Sequence, residues 1–432
     1  MEYCLKGGQM QSEVRFSVYE HTLIIKNNLL VTRKFIVLRD IDKHIVAWTN
    51  FHKYLHSGKY RLARNISDDG NKRAYMICKL LNYVFIDKYQ IKRLTDITIK
   101  MVSDYLNDYG LGMLPNDPRE RVESTVNVCI RYVIDFLESV ISDNSGKCKL
   151  RIGELYKEVS VYNPRRMKSE IKRVPSFKVL YSSSPREIFR DIPESVFSIL
   201  MRVIADKHKD ILMLAALGAF AGMRPSECCN VRRNDSPLGS GIRFVISNGE
   251  IVDIIIDLTK EINLRSDLIR VGRIKKERTQ RVYPAFINAF SDCYQIYMEH
   301  MSNRTYEPDY GALTVNKQGK ALTYKNYYMK FSAAIRDLIP ELMSSNDPEA
   351  VNYGHLLLEK KIGPHIFRHW FSVKLTIWGE DISGLMYWRG DKSPLSALTY
   401  LQNKGDLEKQ LEKVNNEIFD YSLWKAGKQF TK

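Results

Sequence analysis

Apolar and polar positions along the chain change period several times. In TLIIKNNLLVTRKFIVL they alternate in the manner of a strand, and residues 1–35 read as an N-terminal arm with strand character. The period then lengthens. IVAWTNFHKYL, RAYMICKLLNYVFI, ITIKMVSDYLNDY and VESTVNVCIRYVIDFLESVI each repeat apolar residues near 3.6, which predicts four helices within a helical domain over 36–150. Asp96 and Ser124 stand where N-caps belong for the last two.

The texture changes at NPRRMKSEIKRVPSFK, Asn163 to Lys178. Six cations (Arg165, Arg166, Lys168, Lys172, Arg173 and Lys178) face one acid, Glu170, and two prolines interrupt any helix. This predicts an extended basic linker over 151–190, either contacting phosphates or simply solvated.

A second domain, 191–405, opens with the helical segments IPESVFSILMRVIADK and DILMLAALGAFAG. GIRFVIS and EIVDIIID then flank Asn248-Gly249, a hairpin signal. DLIRVGR and QRVYP flank IKKERT and predict a second hairpin. Helical periods resume in AFINAFSDCYQIYMEHM, YKNYYMKFSAAIRDLI, PHIFRHWFSVKLTIW, SPLSALTYLQ and DLEKQLEKVNNEIF. The fold class expected is mainly α with a small antiparallel β-sheet (α+β). A tail over 406–432 carries an apolar stripe, Leu407, Leu411, Val414 and Ile418, suited to docking on a neighbouring protomer or on its own domain.

Bulk properties narrow the function. At about 150 residues per domain, 432 residues make two or three domains. A formal net charge of +16 calls for an anionic partner, and nucleic acid leads because phosphate neutralisation releases counterions. Cations of the first domain (Lys59, Arg61, Arg64, Lys72 and Arg73) suit phosphates or a solvated face equally. The longest apolar run, Ile211 to Met223, is too short to span a bilayer and predicts a buried helix. The first residues hold no apolar run of a signal peptide. Seven scattered cysteines without a CxxC pair fit reduced thiols in a cytosolic protein and no zinc module.

Three stretches carry candidate chemistry. In AGMRPSECCNV, Arg224 follows the apolar helix with Glu227 three residues on, a pairing that also suits a half-buried structural ion pair. In IKKERT, Lys275 and Lys276 sit in a turn, where solvation alone would explain them. In GPHIFRHWF, helical spacing places His365, Arg368 and His369 on one face at a helix N-terminus, a setting that suits a phosphate. His365 and His369 at i, i+4 also match two zinc ligands. HExxH is absent, however, and Arg368 would repel a dication, so no metal is expected. Core packing accounts for Ile366, Phe367 and Trp370 but not for three polar tips on one face.

Taken in order, G-x-R-x-x-E, a turn lysine, H-x-x-R-H and a later tyrosine resemble the tyrosine recombinase (phage integrase) family. The resemblance runs over about 36–405. Arg224, His365 and Arg368 match catalytic positions. Lys276, eight residues before Pro284, matches the family's lysine, with Lys275 as the fallback. YWRGDKSPLSALTYLQ resembles the segment that ends on the nucleophile, which aligns Tyr400, 32 residues after Arg368. Asp391 stands where the family has His or Trp; an ionised carboxylate accepts hydrogen bonds but cannot donate them. Trp388 and His369 are alternatives for what that position supplies, and Glu227 and His369 fit positioning roles.

The resemblance implies a two-domain clamp on double-stranded DNA, with a helical core-binding domain ahead of the catalytic one. It implies cleavage and rejoining through a covalent 3′-phosphotyrosine, without metal, cofactor or ATP. Arg224 and Arg368 would neutralise the phosphate, Lys276 would protonate the leaving 5′-oxygen, and His365 would act on the tyrosine proton or donate to the phosphate. It further implies a homo-tetramer on DNA, accessory DNA-bending proteins, and a cytoplasmic, nucleoid-associated location in a bacterial cell. An integrase or transposase of a mobile element and a chromosome or plasmid resolution enzyme are the forms this implies, and integration, excision and resolution share one active site. A DNA-binding protein of the same fold with weakened catalysis, for which Asp391 is the motive, and a type IB topoisomerase-like enzyme are the alternatives. Direct DNA contacts are expected from Lys275, Arg165, Arg166, Lys172 and Arg173.

Overall fold

The computed structural model describes residues 14–25, 29–55, 72–163, 168–182, 192–302, 310–391 and 394. Two compact units make up the chain, one of 1–23 and 31–187, the other of 24–30 and 188–432. The described elements are mainly helical with small antiparallel sheets, as expected.

The first unit holds most of one sheet of three strands, β1 (Arg15–Ile25), β2 (Leu29–Arg39) and β3 (Ile45–Trp48), all but residues 24–25 and 29–30. Helices α1 (Arg73–Asn82), α2 (Ile99–Leu111) and α3 (Glu123–Asp143) follow. On α3, Val126, Ile130, Val133, Leu137 and Val140 are buried at helical spacing, and they meet Ile77, Leu81, Val102 and Leu106 in one core.

Two expectations change here. IVAWTNFHKYL is not one helix: Ile45–Trp48 is a strand paired with β2, and only Phe51–Leu55 turns, as a 3₁₀ helix. Its four leading residues alternate in burial, so the period of two prevails over the longer one. The helix caps also move. Thr98, not Asp96, accepts from the Met101 N–H at the start of α2, while Asp96 lies in a preceding 3₁₀ turn and pairs with Lys149 at 3.1 Å. Val122, with extended backbone, precedes α3, and Ser124 sits inside its first turn.

The basic stretch is extended but not a free connector. After a short turn of helix, α4 (Ile152–Leu155), strands β4 (Tyr156–Asn163) and β5 (Lys168–Pro175) pair over their whole length. Val159 and Val161 alternate with Ser160 between them, β-branched Ile171 and Val174 also suit a strand, and Pro175 lies at the end of β5.

The second unit is built round α6 (Leu212–Phe220), whose nine residues are all buried, as the apolar run predicted. Ahead of it lies α5 (Glu194–Lys207), and after it the short α7 (Pro225–Cys228). Strands β6 (Ile242–Ser247), β7 (Glu250–Leu258) and β8 (Arg278–Arg281) form an antiparallel meander. Asn248 (φ 52°) and Gly249 (φ 83°) make the tight turn of the first hairpin. The second hairpin differs from the expectation. β8 pairs with β7, Leu258 opposite Arg278, and DLIRVGR belongs to a long connection rather than a strand. Arg265, Asp267 and Asn263 bind one another there, which holds that backbone off the sheet.

Helices α8 (Ile287–Met301), α9 (Tyr324–Met343), α10 (Pro348–Glu359), α11 (His365–Ile377) and α12 (Ile382–Arg389) complete the unit. The sequence reading did not anticipate α10, which Asp347 caps and Pro348 opens. Gly218 of α6 lets α11 approach closely, because a Cβ there would meet that of Phe367 at 2.9 Å. Trp370 of α11 stacks on Phe197 of α5 at 3.7 Å between ring centroids. This close packing fixes the end of α6, with Arg224 just beyond it, against α11, with Arg368 one turn from its start.

Candidate active site

Local rules place each charged group. α6 ends in a turn at Gly222 (φ 59°), where a Cβ would lie 2.5 Å from the Phe371 ring. The chain then becomes extended at Arg224, and Pro225 opens α7. Glu227 reaches back to the Arg224 backbone N–H (3.3 Å) and accepts from the Arg224 guanidinium (3.2 Å). Arg278, on β8, donates to both Glu227 oxygens (3.3 and 2.8 Å), and the Lys275 backbone N–H donates to Oε1 (3.1 Å). Glu227 is fully buried. Burial pushes its pKa up, but Arg278, Arg224 and Arg368 outweigh that and hold it below the ordinary 4.5.

Arg368 is buried in α11. One terminal nitrogen, Nη1, donates to the carbonyls of Gly222 and of Arg389 (2.7 Å to the latter). The other, Nη2, donates to Asp391 Oδ1 at 2.7 Å. Arg224 Nη2 donates to the same oxygen at 2.5 Å. Burial first, then repulsion from Arg224 and Arg389, pushes the Arg368 guanidinium down to about 9, which leaves it cationic at neutral pH. Arg389, at the end of α12, brings Nε to 3.1 Å from Asp391 Oδ2. The Lys276 amine lies 3.4 Å from the Asp391 carbonyl. Four guanidiniums and one amine therefore gather round two buried carboxylates.

The structure thus brings Arg224, Glu227, Lys276, Arg368 and Asp391 together. His365 lies exposed at the first turn of α11 and His369 is half-buried one turn on. So the three polar residues of GPHIFRHWF do not share one environment: Arg368 points into the unit and His365 towards solvent. Among the described residues the three-membered group with gathered ligand atoms is Asp40, Asp42 and His44, in the turn between β2 and β3; His365 and His369 belong to no such group. Trp388 packs its ring edge-on against Tyr283 (4.9 Å), while its carbonyl accepts from Gln280 (2.6 Å). Its ring is thus packed beside the cluster.

No family model matches the sequence, and no curated protein matches it. Solved structures do resemble the fold. One is the XerH site-specific recombinase bound to difH substrate in a pre-cleavage complex, with 16% identity, 76% of each chain covered and a TM-score of 0.43. A second is the Tn1549 transposon integrase with circular intermediate DNA, with 16% identity, 80% of this chain and 95% of that one covered and a TM-score of 0.45. A third is a lambda integrase dimer on a COC′ core site, with 12% identity, coverage of 78% and 91% and a TM-score of 0.40. All three are recombinases or integrases.

Two site residues went unread in the sequence. Arg278 sits two residues after Lys276, in the stretch IKKERT that reads as a solvated turn, and opens β8 instead. Arg389 precedes Gly390-Asp391, and its signal is chemical: a carboxylate placed between arginines needs cations on its remaining side. Among the expected DNA contacts, Lys275 is exposed, and Arg173 is exposed with Glu158 opposite it at 3.7 Å. Arg165, Arg166, the Lys172 side chain, Tyr400 and the tail lie outside the described residues. So do Lys59, Arg61 and Arg64. Arg73 is a structural cation instead, paired with Asp135 at 2.8 Å and set over the Tyr132 ring.

Proposed function

We propose that this chain is a site-specific DNA strand transferase of the tyrosine recombinase type. The observation that carries the reading is the convergence of two arginine termini, Arg224 and Arg368, on a single anionic oxygen at 2.5 and 2.7 Å, with Lys276 beside it. Preorganised donors of this kind suit the non-bridging oxygens of a phosphodiester, whose charge grows at the pentacoordinate transition state.

The chemistry balances with groups of the chain itself. Tyr400 loses its phenolic proton to His365, and its oxygen forms a bond to phosphorus as the P–O5′ bond breaks. Lys276 gives a proton to the departing 5′-oxygen. The product is a 3′-phosphotyrosine and a free 5′-hydroxyl, and attack by a second strand's hydroxyl reverses the step without ATP. Glu227 positions Arg224 and Arg278. Recombining two duplexes needs four such sites, so the working form would be a homo-tetramer on double-stranded DNA, with DNA-bending accessory proteins where the target requires them. No helix among the described residues is long and apolar enough to cross a membrane.

A second reading, DNA binding with weakened catalysis, draws on Asp391, an anion seated where a phosphate would go. The test is a set of nicked suicide duplexes built on DNA that the full chain enriches from a random pool. A covalent adduct on a denaturing gel, lost in Tyr400→Phe and reduced roughly 10²–10³-fold in Arg368→Ala, is the expected result. Tight binding without any adduct would leave the second reading standing.

A further inference from the structure

Asp391 does more than depart from an expected residue type. Its side chain is 7% exposed, and its Oδ1 takes a hydrogen bond from Nη2 of both Arg224 and Arg368. The alternatives for those arginines are already used. Arg368 Nη1 serves two backbone carbonyls, and Arg224 Nη1 serves Glu227. The two Nη2 donors that converge on one point, where a substrate phosphate oxygen would be gripped, are therefore held by the carboxylate. A phosphate oxygen and a carboxylate oxygen cannot share them at hydrogen-bond distance, since two anions in a buried site repel strongly.

The geometry also provides somewhere for the carboxylate to go. Asp391 Oδ2 accepts no hydrogen bond among the described residues and lies 3.1 Å from Arg389 Nε. Gly390 between them, at φ 62°, is the left-handed residue that ends α12, a backbone that tolerates rearrangement better than one built of other residues. The Asp391 backbone carbonyl accepts from the Lys276 amine, which sets that lysine beside the same seat.

We propose that Asp391 is a built-in competitor: in DNA-free protein its carboxylate fills the phosphate seat between Arg224 and Arg368, and an arriving phosphate displaces it onto Arg389. This rests on reading the two arginines as a phosphate clamp.

The experiment uses the full chain without DNA and tungstate as a phosphate-shaped oxyanion, titrated calorimetrically into wild type and Asp391→Asn. The competitor predicts that the variant binds tungstate at least roughly tenfold more tightly, because an anion is no longer opposed. Equal affinity, or weaker binding by the variant as expected of a carboxylate that merely holds the arginines in place, would overturn the proposal while leaving the clamp intact. Binding by neither chain would overturn the clamp reading with it. Should the variant fail to fold, a crystal of the wild type with tungstate decides. The ion between Arg224 and Arg368, with the carboxylate turned to Arg389, is the expected result. The ion bound with Asp391 unmoved, or no ion at saturating tungstate, contradicts it.

Discussion

Replacing Glu227 by glutamine tests how the arginine cluster is held. The carboxylate is fully buried and accepts from Arg224, from Arg278 twice and from the Lys275 backbone. Glutamine keeps the size but loses the charge, and its amide N–H₂ faces guanidinium donors. Removing one partner of a buried ionic network costs about 3–5 kcal/mol, because the remaining charges stay buried without compensation. For a unit of this size that lowers the melting temperature by roughly 6–20 °C, at 2–4 °C per kcal/mol. Urea unfolding followed by tryptophan fluorescence measures the difference directly. The pH dependence is a second handle. The native pKa of Glu227 lies below 4.5, so its contribution is complete above about 4.5 and fades as the pH falls through the lower native value. The gap between wild type and Glu227→Gln should therefore shrink on acidification. A loss under about 1 kcal/mol at neutral pH, typical of an exposed ion pair, would refute the reasoning.

Two further changes probe separate links. Gly390→Ala forces a left-handed residue to carry a Cβ that overlaps the Arg278 guanidinium. It should cost about 1–2 kcal/mol of stability and lower adduct formation roughly 100-fold through the misplaced guanidinium, and a gel assay showing unchanged adduct yield would count against Arg278 as a positioning residue. In the first unit, Asp117 is buried among Lys79, Arg119 and Arg121, whose pull outweighs burial and lowers its pKa. Asp117→Asn should destabilise that unit by about 3 kcal/mol, measured by urea unfolding, and a neutral effect would mean that the cations relax into solvent.

The sequence was most legible where one period ran long. The buried helix Leu212–Phe220, the Asn248-Gly249 turn and helices α8, α9 and α11 all followed from spacing and turn chemistry. It was least legible where short segments compete. Ile45–Trp48 carries apolar residues that fit either period, and pairing with β2 decides between them. DLIRVGR looks like a strand, yet Arg265 and Asp267 hold it in a connection, and β8 finds β7 instead. At the site, spacing offered Arg224, Lys276 and Arg368 only as separate candidates, and the resemblance to the recombinase motifs taken in order is what grouped them. Spacing could not reveal that Arg278 and Arg389 join them, since their approach depends on the fold of β8 onto β7 and of α12 onto α11. Nor could it reveal that Asp391 lies inside the clamp rather than beside it.

The most direct test of the central claim is to identify which residue becomes linked to DNA. The full chain is trapped on a nicked suicide duplex, the DNA is trimmed with nuclease, and the nucleotide-bearing peptide is sequenced by mass spectrometry. The expected product is a nucleotide joined through its 3′-phosphate to Tyr400, in the peptide that includes ALTYLQ, and no such peptide from Arg368→Ala at equal DNA occupancy. A modified peptide elsewhere in the chain, or cleaved DNA that leaves no peptide bound, would contradict it.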